Sequence, residues 1–201
     1  EFREILRGNV IIPLFEERRK TLREVGTVLN AKYSGEFSNL IKVANNDAIN
    51  LLNLIIANFP SFDDTAMYNG KKVFFYKRAQ LLVDDIYQAF NGKNHGNLKN
   101  IDKITACADY KLPQVLRKFG ILSYSKELAT KVDNKIEIAK GSEEEVEVRA
   151  NTIWAIELIK EELKHKFPHE NSIHVNDHLW LLGQIKSAND KPYHLTRTTA
   201  Y

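Results

Sequence analysis

Apolar residues recur every three to four positions through most of this chain, the period of helices that bury one face. Pro13 suits the first turn of a helix running to about Ala31, with Leu14, Leu22, Val25 and Leu29 as its apolar positions. A second helix is expected from about Phe37 to Phe59, stopped by Pro60, with Ser61 to Asp64 opening a loop or short helix. A third covers roughly Lys72 to Phe90, where Phe75, Ala79, Leu82, Ile86 and Phe90 share a face. The turn-rich stretch Asn91 to Asn97 follows, then short helices over Ile101–Cys107 and Asp109–Phe119, the latter ending at Gly120.

Alternation around a central Asp133-Asn134 predicts a small β-hairpin over Val132–Ile138. Ser142 and Glu145 form a capping-box pattern at the start of a long helix toward Lys166, which Pro168 stops. A last helix spans about Ser172 to Ile185, and the tail from Pro192 to Thr198 reads as extended. No repeat, low-complexity block or linker divides the chain. The fold class expected is therefore mainly α: one helical domain over residues 1–201 with one small β-hairpin.

Composition narrows the chemistry. At 201 residues, 43% hydrophobic and 27% charged, the chain can bury a substantial core and looks like an ordinary soluble domain. Its 29 basic and 26 acidic residues leave a net charge of +3. That is too mild for gripping a long nucleic acid, but it suits a small anionic ligand. Cys107 is the sole cysteine, so neither an internal disulfide nor a thiolate zinc site can form, and a reducing, cytoplasmic setting is expected. The six histidines lack metal-ligand spacing and there is no glycine-rich phosphate loop, so no metal or cofactor is expected. No apolar run is long enough for a bilayer, so no membrane partner is expected, and the oligomeric state is not legible. Glu1 stands where an initiator methionine would, so the chain is expected to be a fragment.

Polar groups interrupt otherwise apolar stripes in several places. Asp109 falls where a helix begins, with Pro113 in or near its first turn. The simplest role is an N-cap, and the functional alternative is a catalytic carboxylate, since a helix N-terminus favours negative charge. Arg149 lies between Val146 and Ile153, either paired internally with Glu145 or holding an anion. Asp177 lies between Ile173 and Trp180. It either makes a structural hydrogen bond or recognises the N–H edge of a planar ligand stacked on Trp180. Lys77 and Asp84 are expected on a solvated face, whereas Arg78, at the edge of the apolar stripe near Asp85, is a candidate phosphate ligand. His194 and Arg197 are expected to make surface hydrogen bonds or add positive charge to a pocket. Cys107 reads as a small buried hydrophobe.

Taken in order, several segments resemble the queuosine salvage protein family, the queuosine 5′-phosphate N-glycosylase/hydrolases. They are Ile12–Arg18, Leu22–Gly26, Phe74–Gln80, Ala108–Gln114, Gly120–Ser125, Gly141–Ala150, Asp177–Trp180 and Pro192–Arg197. The resemblance covers nearly the whole chain. It implies a helical fold similar to the helix-hairpin-helix DNA glycosylases. It also implies release of the 7-deazaguanine base queuine from queuosine 5′-phosphate, for reuse in tRNA modification.

By the same resemblance Asp109 is the catalytic aspartate, and Asp177 and Trp180 help to form the base and ribose pocket. Arg78, Arg149 and Arg197 are the candidates for the 5′-phosphate. The family carries a phenylalanine where Cys107 stands, which makes Tyr110 the candidate to stack on the base. The family also has an N-terminal segment that contributes to the pocket and is absent from these 201 residues. A non-catalytic helical module that binds a modified nucleoside or a partner is the alternative reading. A DNA or RNA glycosylase is disfavoured by the charge balance.

Overall fold

The computed structural model describes residues 2–6, 8–10, 12–188 and 190–201. Among these, the helices are α1 (Phe2–Ile5), α2 (Phe15–Tyr33), α3 (Phe37–Val43), α4 (Ala48–Asn58), α5 (Lys77–Ala89), α6 (Lys111–Lys118), α7 (Lys126–Asp133), α8 (Glu143–Lys164) and α9 (Ser172–Leu182). Strands β1 (Thr65–Tyr68) and β2 (Lys71–Phe74) pair antiparallel, Thr65 opposite Phe74 and Tyr68 opposite Lys71. The mainly helical class with one hairpin is as expected. No described helix is long and apolar enough to cross a membrane.

The hairpin is not where alternation put it. Residues 126–133 are helical, and Asp133 is drawn to Arg117 by an ion pair at 2.7 Å. Ile138 then donates its N–H to Leu195 at 2.7 Å, so the extended residues pair with the tail rather than with each other. The real hairpin turns at Asn69-Gly70, whose φ values of 48° and 73° are those of a tight two-residue hairpin turn. Because β2 occupies residues 71–74, the following helix starts at Lys77 instead of Lys72.

The expected helix over 37–59 is broken. Asn45 and Asn46 adopt left-handed backbone (φ 55° and 50°), and Asp47 restarts the helix by accepting from the N–H groups of Ile49 at 3.0 Å and Asn50 at 2.9 Å. The helix expected over Ile101–Cys107 shrinks to a 3-10 turn at Ile101–Lys103, and residues 104–109 run extended. The Ser142 cap is as expected: its Oγ accepts from Glu145 N–H, and Glu145 reaches back to the N–H of Gly141 at 3.0 Å.

Two apolar cores result. One packs α3, α4 and α5 around Leu40, Leu51, Ile55, Ala79 and Val83. The other packs α6, α8 and α9 around Leu112, Leu116, Ile156, Val175 and Leu179. A smaller cluster of Leu128, Val132, Ile138 and Val148 seats α7. Gly183 lets α9 end against α6, since a Cβ there would lie 2.7 Å from the Val115 side chain. The extended segment 104–109 runs between the two main cores, and the candidate site forms along it.

Candidate active site

An extended segment without a strand partner must satisfy its backbone polar groups some other way. Here side chains from surrounding helices do it. Gln80 of α5 accepts the N–H of Thr105 at 2.8 Å. Asn176 of α9 accepts the N–H of Cys107 at 2.9 Å. Arg149 of α8 donates Nε–H to the Ala108 carbonyl at 3.3 Å. Asp109 closes the segment by capping α6: its Oδ1 accepts from the N–H groups of Lys111 at 2.8 Å and Leu112 at 3.0 Å. The cap reading of Asp109 is therefore correct. Only 7% exposed, the residue also faces a cleft of about 850 Å³ with its other oxygen unpaired among the described residues.

That cleft brings together Asp109, Asp177, Trp180, Tyr110 and Cys107. Cys107 is buried, and burial pushes its thiol well above the usual range, so it presents a neutral, nearly apolar surface. Tyr110 and Trp180 are partly exposed at the rim, and the Tyr110 ring lies 4.8 Å from that of Tyr193. Asp177 accepts from Asn176 Nδ2–H at 3.1 Å through one oxygen and from the Gln88 amide through the other.

Among the cleft residues that sequence reasoning missed or misassigned are Lys77, expected on a solvated face, and Asp84, Gln88 and Tyr201. Asp84, expected in solvent, is 3% exposed. Burial, and then the neighbouring Asp177, raise its pKa to about 7. Gln88 donates to Asp84 Oδ1 at 3.1 Å and also reaches Asp177. Tyr201 forms part of the cleft wall. The signal for Asp84 and Gln88 was present as Gln80, Asp84 and Gln88, polar residues at four-residue spacing along α5.

The candidate arginines separate. Arg78 lines a second cavity of about 430 Å³ with Arg18, Thr21 and Thr199, and Lys77 and Tyr201 line both this cavity and the cleft. Its guanidinium donates to the carbonyls of Ser61 at 3.4 Å and Thr199 at 3.3 Å and lies 4.5 Å from the Phe62 ring centroid. Burial, and then Arg18, lower its pKa from the usual arginine value.

Arg149 is 1% exposed, and its guanidinium is held by interior side chains. It forms a bidentate pair with Asp64, Nη1 to Oδ1 at 3.1 Å, lies 3.5 Å from Glu145, and stacks between Phe75 (4.0 Å) and Tyr201 (4.6 Å). Glu145 was the expected partner; Asp64, 85 residues away in sequence, was not. Arg197 lies elsewhere, exposed beside Glu137 at 3.9 Å. His194 is not at the surface as expected: it is 1% exposed, and burial followed by Arg149 lowers its pKa to about 4, leaving it neutral.

Residues 1–201 match the family described as queuosine salvage protein. The chain is 44% identical over 98% of its length to the queuosine 5′-phosphate N-glycosylase/hydrolase of Sphaerobacter thermophilus. It is 38% identical over its full length to the enzyme of that name from Mus musculus. It spans 61% and 63% of those relatives' own lengths. By whole-chain match and by identity, the chain belongs to the queuosine salvage protein family.

Proposed function

We propose that this chain carries the catalytic cleft of a hydrolase that cleaves the N-glycosidic bond of queuosine 5′-phosphate and releases queuine. The observation that carries the reading is one cleft lined by Asp109, Asp177 and Trp180 in a chain of this family.

Breaking a ribosyl C1′–N bond builds positive charge on the sugar. Asp109 supplies the opposing charge, with Oδ1 fixed by two backbone N–H groups and Oδ2 left for the anomeric carbon and an incoming water. A 7-deazaguanine lacks the N7 that ordinary purines protonate on leaving. More of the rate enhancement therefore falls on the sugar side and on hydrogen bonds to the base's remaining edges. Asp177 accepts from the N–H edge of the base, and Trp180 and Tyr110 provide aromatic faces at the rim. The 5′-phosphate points toward Lys77 and Arg78, whose cavity adjoins the cleft.

The test is mass spectrometry of products after mixing the complete protein with queuosine and with its 5′-phosphate. Free queuine, formed faster from the phosphate, is expected. Tight binding without release would leave a nucleoside-binding module instead.

A further inference from the structure

A buried carboxylate is costly unless it is paired or protonated. Asp84 makes no ion pair among the described residues, and Asp177 lines the same cleft. What joins them is one carboxamide: Gln88 Nε2 is 3.1 Å from Asp84 Oδ1 and within hydrogen-bonding reach of Asp177 Oδ2. An amide nitrogen has two hydrogens, so both are committed, one to each acid. The far oxygen of Asp177 is held by Asn176, which also holds the N–H of Cys107, two residues before Asp109. Asp177 is thus tied to Asp84 through Gln88 of α5, and through Asn176 of α9 to the backbone of the segment that ends in Asp109.

We propose that Asp84 and Gln88 are positioning residues for the reaction: Gln88, anchored by Asp84, fixes the Asp177 carboxylate where it receives the N–H edge of the base. This rests on the functional reading above. Neither residue reacts, and both act through Asp177.

The charge state of the pair matters. The titratable groups that share the cleft with Asp84 are Lys77 and Asp85 from its own helix, Cys107, Asp109 and Tyr110 from the crossing segment and the start of α6, Asp177 from α9, and Tyr201 from the tail. Protonated, Asp84 adds no charge beside Asp177 and leaves the Gln88 amide free to hold it. As Asp84 ionises, it competes for the Gln88 amide and repels Asp177, loosening the base contact.

The experiment measures kcat and KM for queuosine 5′-phosphate with the complete protein, from about pH 6 to about pH 8.5, each variant as a ratio to wild type so that titration of the phosphate cancels. Gln88→Ala, at an exposed position, should raise KM about tenfold while kcat changes much less. Asp84→Ala should do the same, and Asp84→Asn should recover most of the loss, because an amide oxygen still accepts from Gln88. The KM of Asp84→Asn relative to wild type should fall as pH rises through about 7, because only wild type loses the base contact there. Binding of free queuine, followed by calorimetry, should weaken in Gln88→Ala in parallel with KM. If wild type releases queuine but Gln88→Ala keeps its KM and queuine affinity, or Asp84→Asn keeps the wild-type pH dependence, the positioning role is wrong. No release by wild type would overturn the functional reading itself.

Discussion

Asn176 accepts the backbone N–H of Cys107 at 2.9 Å through Oδ1 and donates to Asp177 at 3.1 Å through Nδ2. One buried amide therefore sets α9 against the segment that ends in Asp109. Replacing it with aspartate would keep an acceptor for Cys107 but turn the donor into a second negative oxygen beside Asp177. Asn176→Asp should remain folded, lose about 1–3 kcal/mol of stability in thermal or denaturant unfolding, and bind the nucleotide more weakly. A variant with unchanged affinity for the nucleotide would show that this amide does not organise the site.

Asp109→Asn separates capping from chemistry. Asparagine caps helices about as well as aspartate, so the start of α6 should survive, as circular dichroism and melting temperature would show. The charge opposite the sugar would be gone, and queuine release should fall by about 10²–10³-fold or more. Near-normal turnover in the folded variant would remove Asp109 from the reaction.

Arg149 gives a prediction about stability. Removing its guanidinium strands Asp64 and Glu145 in the interior, and a broken buried pair of this kind costs about 3–5 kcal/mol. Arg149→Met should therefore melt well below wild type. Lysine should rescue little, since it cannot make the bidentate contact or fill the space between Phe75 and Tyr201. A near-wild-type melting temperature for Arg149→Met would show the knot to be dispensable.

His194 should shape the acid limb of the stability curve. Its folded pKa, about 4, lies below the ordinary 6.5. Between those values the unfolded chain takes up a proton that the folded chain refuses, so stability falls as pH drops from about 6.5 toward 4, by up to about 3 kcal/mol. Asp84 acts oppositely: its folded pKa is raised to about 7, so its burial weighs against the fold as pH rises from the normal carboxylate range through 7. His194→Gln should flatten the acid limb. Asp84→Asn should raise stability at neutral and alkaline pH, with no gain near pH 3.5. Parallel curves for wild type and both variants would refute both assignments.

Much of this was readable in one dimension. The caps at Ser142 and Asp109 and the period of α2, α8 and α9 depend on near neighbours, and these elements fell close to their expected places. Asp109 stood out as a carboxylate at a helix start and Asp177 as one at apolar spacing beside Trp180, the family resemblance joined the three, and one cleft gathers them. The hairpin went astray because alternation at residues 132–138 was weighted above the Asn69-Gly70 turn, the stronger local signal.

Asp84 was hidden by phase. Of the expected face Phe75, Ala79, Leu82, Ile86 and Phe90, the fold buries Phe75, Ala79 and Ile86 but exposes Phe90, and it buries Gln80, Val83 and Asp84 beside them. The second carboxylate on Arg149 was out of reach, because only the tertiary fold brings the residue before β1 to α8.

Arg149 also touches the Ala108 carbonyl. A cation cancelled by two acids contributes almost no field to an incoming nucleotide, yet it bears on the backbone one residue from Asp109, the carboxylate proposed to face the sugar. Mutations at the foot of the hairpin, far along the chain from the chemistry, should thus masquerade as catalytic lesions by letting residue 109 drift.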